Sequence, residues 1–172
     1  MAGVTLRGKI VTLRPPNAED LAALATIRAH PAVSSRWGGG DDPTAAVTAD
    51  FEDDEIVGSV IEVDGRLVGW IQWCEQVDPM YRHAGIDLYV DPTTHGRGVG
   101  TDSVRTLARH LLADRGHHRL VIDPAADNTA AIRAYEKVGF KPVGLMRAYE
   151  RGPDGTFHDG LLMDLLAHDL TD

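Results

Sequence analysis

The chain has one cysteine among its 172 residues, few aromatic residues (6%) and no long apolar run. A lone cysteine forms no internal disulfide, so a reducing, cytoplasmic location is expected. Cys74 lies in a strand-like stretch and is expected to be an inert thiol of the core. No apolar stretch approaches the roughly 18 residues that span a bilayer, and residues 1–9 lack the apolar core of a signal peptide. We therefore expect no membrane partner and no export.

Positive charge is also scarce, because 17 Lys and Arg residues stand against 26 Asp and Glu residues, a net charge of −9. This balance argues against nucleic acids and anionic membranes as partners. It permits attraction of a small cationic substrate, although a solvated acidic surface explains the same charge. The length and the 43% share of hydrophobic residues predict a single domain over residues 1–172, as a monomer or a homodimer.

Several catalytic patterns are missing. The eight histidines have no metal-ligand spacing, so no metal is expected. Neither a Ser–His–Asp pattern nor a Cys–His nucleophile stands out.

The most informative segment is a glycine-rich run that follows a strand pattern and precedes a helix pattern. Residues 85–91 alternate apolar and polar side chains, as a half-buried strand does. The loop His95-Gly96-Arg97-Gly98-Val99-Gly100 comes next, and apolar residues then recur at helical spacing from Val104 to Leu112. Backbone N–H groups at such a helix start bind anions, so a phosphate ligand is expected.

Three kinds of phosphate-binding site use a glycine-rich loop of this type. A P-loop requires Gly-Lys-Ser/Thr, whereas Gly100 is followed by Thr101 and Asp102. A dinucleotide-binding loop requires an acidic residue about 20 positions onward, where Asp123 stands, but also an early position in a parallel sheet. The spacing alone leaves this option open, although the late position of the loop disfavours it. The pyrophosphate of coenzyme A is the third option.

Residues 120–140 favour coenzyme A. The segment begins with a short apolar strand, continues with a helix capped by Asp127 or Asn128, and ends at Gly139 as a left-handed residue. With the glycine loop, it resembles the GNAT superfamily of acyl-CoA-dependent N-acyltransferases. The matching positions of the family motif N-x-x-A-x-x-x-Y-x-x-x-G-F are Asn128, Ala131, Tyr135, Gly139 and Phe140. In the loop, Gly98 and Gly100 match the family, and His95 replaces its Gln or Arg.

The resemblance implies acetyl-CoA as cosubstrate and a set of residues that bind it. This set comprises Tyr89, Val90, His95, Gly96, Arg97, Gly98, Val99, Gly100, Thr101, Asn128 and Ala131. It also implies an α+β fold with a mixed, mostly antiparallel central sheet flanked by helices. The sequence patterns predict the same order, β-α-α-β-β-β-α-β-α-β-β, with a first strand over residues 9–14, a helix capped by Asn17 and a tight hairpin turn at Asp64-Gly65.

Two residues are candidates for catalysis. Asp87, Tyr89 and Asp91 share one face of their strand, and a carboxylate on that face can deprotonate an amine. From the residues alone, Asp87 could equally face solvent, and Tyr135 could be an ordinary core aromatic. The resemblance implies that Asp87 is the general base and that Tyr135 is the general acid at the thiol.

A further likeness concerns the acceptor. Residues 33–39 with Pro43 and Thr44, together with the surroundings of Asp87 and Asp123, resemble aminoglycoside 6′-N-acetyltransferases. That likeness implies that Trp37, Asp87 and Asp123 line a pocket for a cationic aminosugar, such as the 6′-amine of an aminoglycoside. The closing segment and the opening strand resemble ribosomal-protein N-terminal acetyltransferases instead, which is the alternative. A coenzyme A- or drug-binding protein without turnover is a third possibility.

Overall fold

The computed structural model describes residues 4–38 and 41–172. The helices are α1 (Leu21–Ala29), α2 (Pro31–Trp37), α3 (Pro43–Glu52), α4 (Val99–Ala113) and α5 (Thr129–Glu136). The strands are β1 (Leu6–Arg7), β2 (Thr12–Arg14), β3 (Ile56–Val63), β4 (Arg66–Gln76), β5 (His83–Val90), β6 (Arg119–Ile122), β7 (Lys141–Arg151) and β8 (Phe157–Leu166). Within these ranges, no helix combines the length and the apolar character that crossing a membrane requires.

The strands form one sheet in the order β1-β2-β3-β4-β5-β6-β8-β7. Neighbouring strands are antiparallel except for β5 and β6, which run parallel. This pairing confirms the predicted α+β class with a mixed, mostly antiparallel sheet. The parallel pair joins only Ala84 to Leu120 and Gly85 to Val121, so the two strands separate beyond these residues.

Apolar side chains cover both faces of the sheet. On one face, α4 and α5 pack on the central strands, with Leu107, Leu111 and Phe140 buried. On the other face, α1, α2 and α3 surround Trp70 and Tyr89. The alternation along β5 produces this division, because Ile86 belongs to the first cluster and Tyr89 to the second.

The predicted elements occur in the predicted order, and the structure adds two that were not predicted, β1 and α2. The strand predicted over residues 9–14 is β2, and it begins at Thr12 rather than at residue 9, because the N–H groups of Lys9, Ile10 and Val11 donate to the Asp102 carboxylate. Asn17 caps a short helical turn that leads into α1, as predicted. Gly139 has a positive φ of 116°, also as predicted, but α5 already ends at Glu136.

The structure contains a helix, α2, that the sequence did not predict. Pro31 occupies its first turn, and Gly38 ends it with a φ of 77°. Gly39 and Gly40 of the predicted glycine-rich loop lie outside the described residues. The expectation of a buried Cys74 is wrong, because its side chain is exposed. It points away from the face that buries its neighbour Trp73.

Replacing Asp102 should destabilise the fold. Its buried carboxylate accepts from three backbone N–H groups, at distances of 3.2, 2.8 and 3.0 Å, and so ties the chain before β2 to the first turn of α4. We expect Asp102→Ala to lower the free energy of unfolding by about 2–4 kcal/mol, since buried donors lose their acceptor. Urea denaturation measures this change. Asp54→Ala, at an exposed turn, is the control, and equal stability of the two variants would contradict the prediction.

Candidate active site

Strands β5 and β6 separate beyond their last pair, Gly85 and Val121, and we call this opening the fork. Two carboxylates lie there. Asp87 lies two residues beyond Gly85 on β5, and Asp123 lies two residues beyond Val121, just after β6. The strands are parallel, so both side chains occupy equivalent positions past the last pair. Within the described chain, β6 forms no backbone pairs with β5 beyond the fork. Leu88, Tyr89 and Val90 of β5 therefore have no strand partner on the side that faces β6. An extended ligand can therefore pass between the strands next to two carboxylates.

A cavity of about 1050 Å³ includes this fork. All the predicted catalytic and substrate-binding residues line it: Trp37, Asp87, Asp123 and Tyr135. So do the predicted cofactor-binding residues Tyr89, Val90, His95, Gly96, Gly98, Val99, Gly100, Thr101, Asn128 and Ala131. Arg97 does not, because it lines a neighbouring groove with Lys9 and Arg66. The structure thus gathers the predicted residues, with Arg97 as the exception, around one space.

The glycine loop forms an open anion cradle at one end of the cavity. Gly96 and Gly98 have φ values of 73° and 80°, a conformation that L-residues adopt at a cost. Gly98 precedes the first residue of α4, and among the described residues no side chain caps this helix end. The N–H groups of Val99, Gly100 and Thr101 precede the first intrahelical bond, from Asp102 to Gly98. A pyrophosphate fits this arrangement, since these donors lack helical acceptors.

Charges of both signs line the cavity. Arg133 on α5 and Lys137 at its C-terminal end supply positive charge, which suits an anionic cofactor. At the fork, Asp87, Asp123 and Glu150 line the wall, which suits a cationic acceptor. The cavity therefore matches one anionic and one cationic substrate.

The Asp87 carboxyl has the properties of a general base near neutral pH. Its side chain is open to the cavity, but the surrounding protein displaces much of its hydration. This burial, with the nearby negative charge of Asp123, raises the pKa of Asp87 to about 7. One carboxylate oxygen accepts the N–H of Leu88 at 2.9 Å, which opposes the rise and fixes the side chain. A base with this pKa is half ionised at neutral pH and accepts a proton readily.

Tyr135 is buried on α5 and packs near Phe140. Burial and the charges of Asp87 and Asp123 raise the pKa of its hydroxyl well above the ordinary value for tyrosine. The hydroxyl therefore stays protonated and can donate a hydrogen bond inside the cavity.

Trp37 is the last residue of α2 and lines the cavity. Its ring meets Tyr89 edge to face, with centroids 4.9 Å apart, and the Arg28 guanidinium lies 5.5 Å from its centroid. Arg28 is itself held by Asp50 and by the carbonyl of Gly38. Trp37 is thus fixed in place before any substrate binds.

Sequence reasoning missed two residues of the site, Tyr149 and Glu150 on β7. Both line the cavity, and the nearby Asp123 carboxylate raises the pKa of the Tyr149 hydroxyl to about 12. Their position depends on an irregularity in β7 that the local pattern does not show. The described residues bring no three His, Cys, Asp or Glu side chains together as metal ligands.

Comparisons with known proteins agree with this geometry. A family model, the acetyltransferase (GNAT) domain, matches residues 11–141. Aminoglycoside N(6′)-acetyltransferase type 1 of Klebsiella pneumoniae is 30% identical over 171 residues, covering 88% of this chain and 82% of that protein. The structure of aminoglycoside acetyltransferase AAC(6′)-Ib in complex with coenzyme A has a TM-score of 0.75 and 25% identity, covering 92% and 96% of the two chains.

Mycobacterium smegmatis RimJ in complex with CoA-disulfide shares the fold, with a TM-score of 0.82 and 24% identity over 98% of this chain and 88% of that one. The chain belongs to the GNAT acetyltransferase family. It is an acetyl-CoA-dependent N-acetyltransferase that resembles the aminoglycoside 6′-N-acetyltransferases.

Proposed function

We propose that this enzyme transfers the acetyl group of acetyl-CoA to the 6′-amine of an aminoglycoside. The observation that supports this most is the pair of carboxylates, Asp87 and Asp123, at the β5–β6 fork in the cavity that Trp37 also lines. Carboxylates bind the ammonium groups of an aminosugar, and an aromatic ring packs against its apolar face. The relatives named for aminoglycoside acetylation add support from an independent direction.

Asp87 acts as the base in this proposal. An aminoglycoside amine arrives largely as ammonium, and the amine becomes nucleophilic only after it loses a proton. The ionised Asp87 carboxylate takes that proton, and the neutral nitrogen attacks the thioester carbonyl that acetyl-CoA supplies. As the carbon–sulfur bond breaks, the nitrogen loses its second proton, which the departing coenzyme A thiolate takes up. Because Asp123 remains beside it, the site keeps a negative charge that holds the other ammonium groups of the acceptor.

Tyr135 assists the departure of sulfur. Negative charge develops on the sulfur as the carbon–sulfur bond breaks, and a donor beside it lowers the barrier. The raised pKa of Tyr135 means that it holds its proton more strongly than a thiol does, so donating a hydrogen bond suits it better than complete proton transfer. Asn128 caps α5 by accepting from the N–H of Ala131 and so sets the start of the helix that holds Tyr135.

A peptide N-terminus is the alternative acceptor. The long closing hairpin of β7 and β8 beside the cavity is the feature that favours it. A peptide with one free amine brings a single positive charge, however, and would leave most of the carboxylates at the fork without a partner. The aminosugar reading explains more of the site.

The acceptor assay separates these readings. We expect acetyl-CoA consumption with kanamycin or tobramycin, and a KM for them that rises with ionic strength because the attraction is between charges. The KM of a peptide that has uncharged side chains and begins with Ala or Ser should not rise with ionic strength. If such peptides are turned over far better than either aminoglycoside, the alternative replaces the proposal. Binding of acetyl-CoA without turnover of any amine would indicate a binding protein.

Trp37 offers a second check. Trp37→Ala should raise the KM for kanamycin roughly fivefold, since the loss of one aromatic contact costs about 1 kcal/mol, while the affinity for acetyl-CoA stays unchanged. Trp37→Phe keeps an aromatic ring, so its KM for kanamycin should lie between those of the wild type and Trp37→Ala. Steady-state kinetics measure the KM and calorimetry measures the cofactor affinity. An unchanged KM in a folded Trp37→Ala variant would remove Trp37 from the acceptor site.

A further inference from the structure

Strand β7 contains an irregularity opposite the fork. Met146 pairs with Gly160, and Glu150 pairs with His158. Between these two pairs β7 advances by four residues whereas β8 advances by only two, so β7 forms a bulge. Ala148, within the bulge, has a φ of 48°, which is unusual for a residue with a side chain. Its N–H donates to the Asp159 carboxylate at 2.7 Å, which holds the bulge in this conformation. Bulges of this kind redirect side chains, often beside active sites.

Gly160 makes room for the redirected Tyr149. A Cβ atom at Gly160 would lie 2.9 Å from Cδ1 of the Tyr149 ring, so the ring lies directly over this glycine. The same segment of β8 is bonded to the chain that follows Asp123: Leu161 donates to the Pro124 carbonyl at 2.9 Å, and Ala126 donates to the Asp159 carbonyl at 2.8 Å. The bulge and Asp123 are therefore parts of one bonded unit.

Two side chains from the bulge complete the wall of the fork. Tyr149 and Glu150 both line the cavity that holds Asp87 and Asp123. Asp123 raises the pKa of the Tyr149 hydroxyl, and the charge of Glu150 acts on Asp87. Two cations also line this region. Arg36 pairs with Asp127 at 2.7 Å, and Arg151 donates to the Gly155 carbonyl at 3.3 Å. Because Arg36 is paired with Asp127, the carboxyl groups of this region outnumber its cations. These carboxyl groups belong to Asp87, Asp123 and Glu150.

We propose that the β7 bulge determines acceptor specificity: Glu150 binds a second ammonium group of the acceptor, and Tyr149 is a positioning residue that orients Asp123. This inference rests on the proposed function and narrows it to acceptors with at least two amino groups. One amine is acetylated at Asp87 while another is held at Glu150. An acceptor with one amine leaves Glu150 unused.

Glu150→Gln tests the first part. We expect the KM for kanamycin to rise about fivefold with kcat little changed, as for the loss of one partly exposed ion pair. The KM for methyl 6-amino-6-deoxyglucoside, a sugar with a single amine, should not change. Glu52→Gln at the end of α3 removes the same charge away from the cavity and is the control. The effect on kanamycin should also fade as the salt concentration increases.

Tyr149→Phe tests the second part, because it keeps the ring over Gly160 and removes only the hydroxyl. We expect a KM for kanamycin raised about threefold to tenfold, with the affinity for acetyl-CoA unchanged. In the Asp123→Asn background the same substitution should have little further effect, since the proposed role of the Tyr149 hydroxyl is exerted through the Asp123 carboxylate. A purely structural role of Tyr149 predicts additive effects instead.

The outcomes distinguish the inference from the proposed function. Turnover of kanamycin by the wild type, with Glu150→Gln indistinguishable from Glu52→Gln, would overturn the role of Glu150 and leave the proposed function intact. Additive effects of Tyr149→Phe and Asp123→Asn would overturn the role of Tyr149. Failure of the wild type to acetylate kanamycin, with efficient turnover of peptides, would overturn both the inference and the proposed function.

Discussion

Asp87→Asn is expected to lower kcat by about 100-fold or more, the usual scale for losing a general base. The substitution keeps the shape of the side chain and removes its ability to accept a proton. Because Asp87 lies at the fork and not in the glycine loop, the affinity for acetyl-CoA should barely change. Steady-state kinetics with kanamycin and calorimetry with acetyl-CoA measure the two quantities. A wild-type rate in this variant at neutral pH would assign the base to another group.

The pH dependence of kcat/KM is a second test of Asp87 as the base, with Asp87→Asn as the comparison. With the pKa of Asp87 raised to about 7, kcat/KM of the wild type should fall as the pH decreases below 7, because the protonated carboxyl accepts no proton. Asp87→Asn should lack this inflection. A shared inflection near pH 7 would place the titrating base elsewhere.

The same pKa makes a prediction for stability. The folded protein holds the Asp87 proton up to about pH 7, whereas the unfolded chain releases it near 3.8. Between these values the folded state binds more protons, so this residue's contribution to stability decreases as the pH rises and is lowest above 7. Asp87→Asn removes that penalty. Its melting temperature should exceed that of the wild type at pH 8 and approach it near pH 4, and equal values at pH 8 would contradict this account.

Gly98→Asp is expected to abolish binding of acetyl-CoA while the fold persists. The φ of 80° at Gly98 disfavours any other residue, at a cost of about 1–2 kcal/mol. There is space for the side chain, since the nearest atom to an added Cβ is 4.0 Å away. The new carboxylate would lie beside the N–H groups at the start of α4 and compete with pyrophosphate for them. Calorimetry measures the affinity, and circular dichroism checks the fold.

Gly116→Asp is the matched control for that substitution. Gly116 has a similar φ of 69°, no atom within 4 Å of an added Cβ, and no part in lining the cavity. It should show the same small loss of stability with normal affinity for acetyl-CoA. Unchanged affinity in a folded Gly98→Asp variant would contradict the assignment of the glycine loop to the cofactor.

Much of this site could be predicted from local sequence. The glycine loop and the motif from Asn128 to Phe140 are contiguous, so the strand, loop and helix that hold them follow from periodicity and turn chemistry. The order of elements follows for the same reason. Asp87 and Asp123 could be named individually, and the structure adds that each stands two residues past the last pair of the parallel strands.

Other features depend on contacts between distant segments. The bulge that directs Tyr149 and Glu150 is stabilised by Asp159 and Gly160 on the neighbouring strand, and an alternating pattern in β7 does not reveal it. The late start of β2 depends on Asp102, some 90 residues away along the chain. Cys74 looked like a core residue because its strand is apolar, but the pairing turns it to an exposed face.

A competition between two acceptors would show which amine this enzyme acetylates. Purified enzyme would be incubated with kanamycin, an Ala-starting peptide and acetyl-CoA labelled with carbon-13 in the acetyl group, and the products examined by mass spectrometry and NMR. We expect monoacetylated kanamycin that carries the labelled acetyl group on the 6′-nitrogen, and little labelled peptide. Labelled peptide with unmodified kanamycin would contradict this expectation.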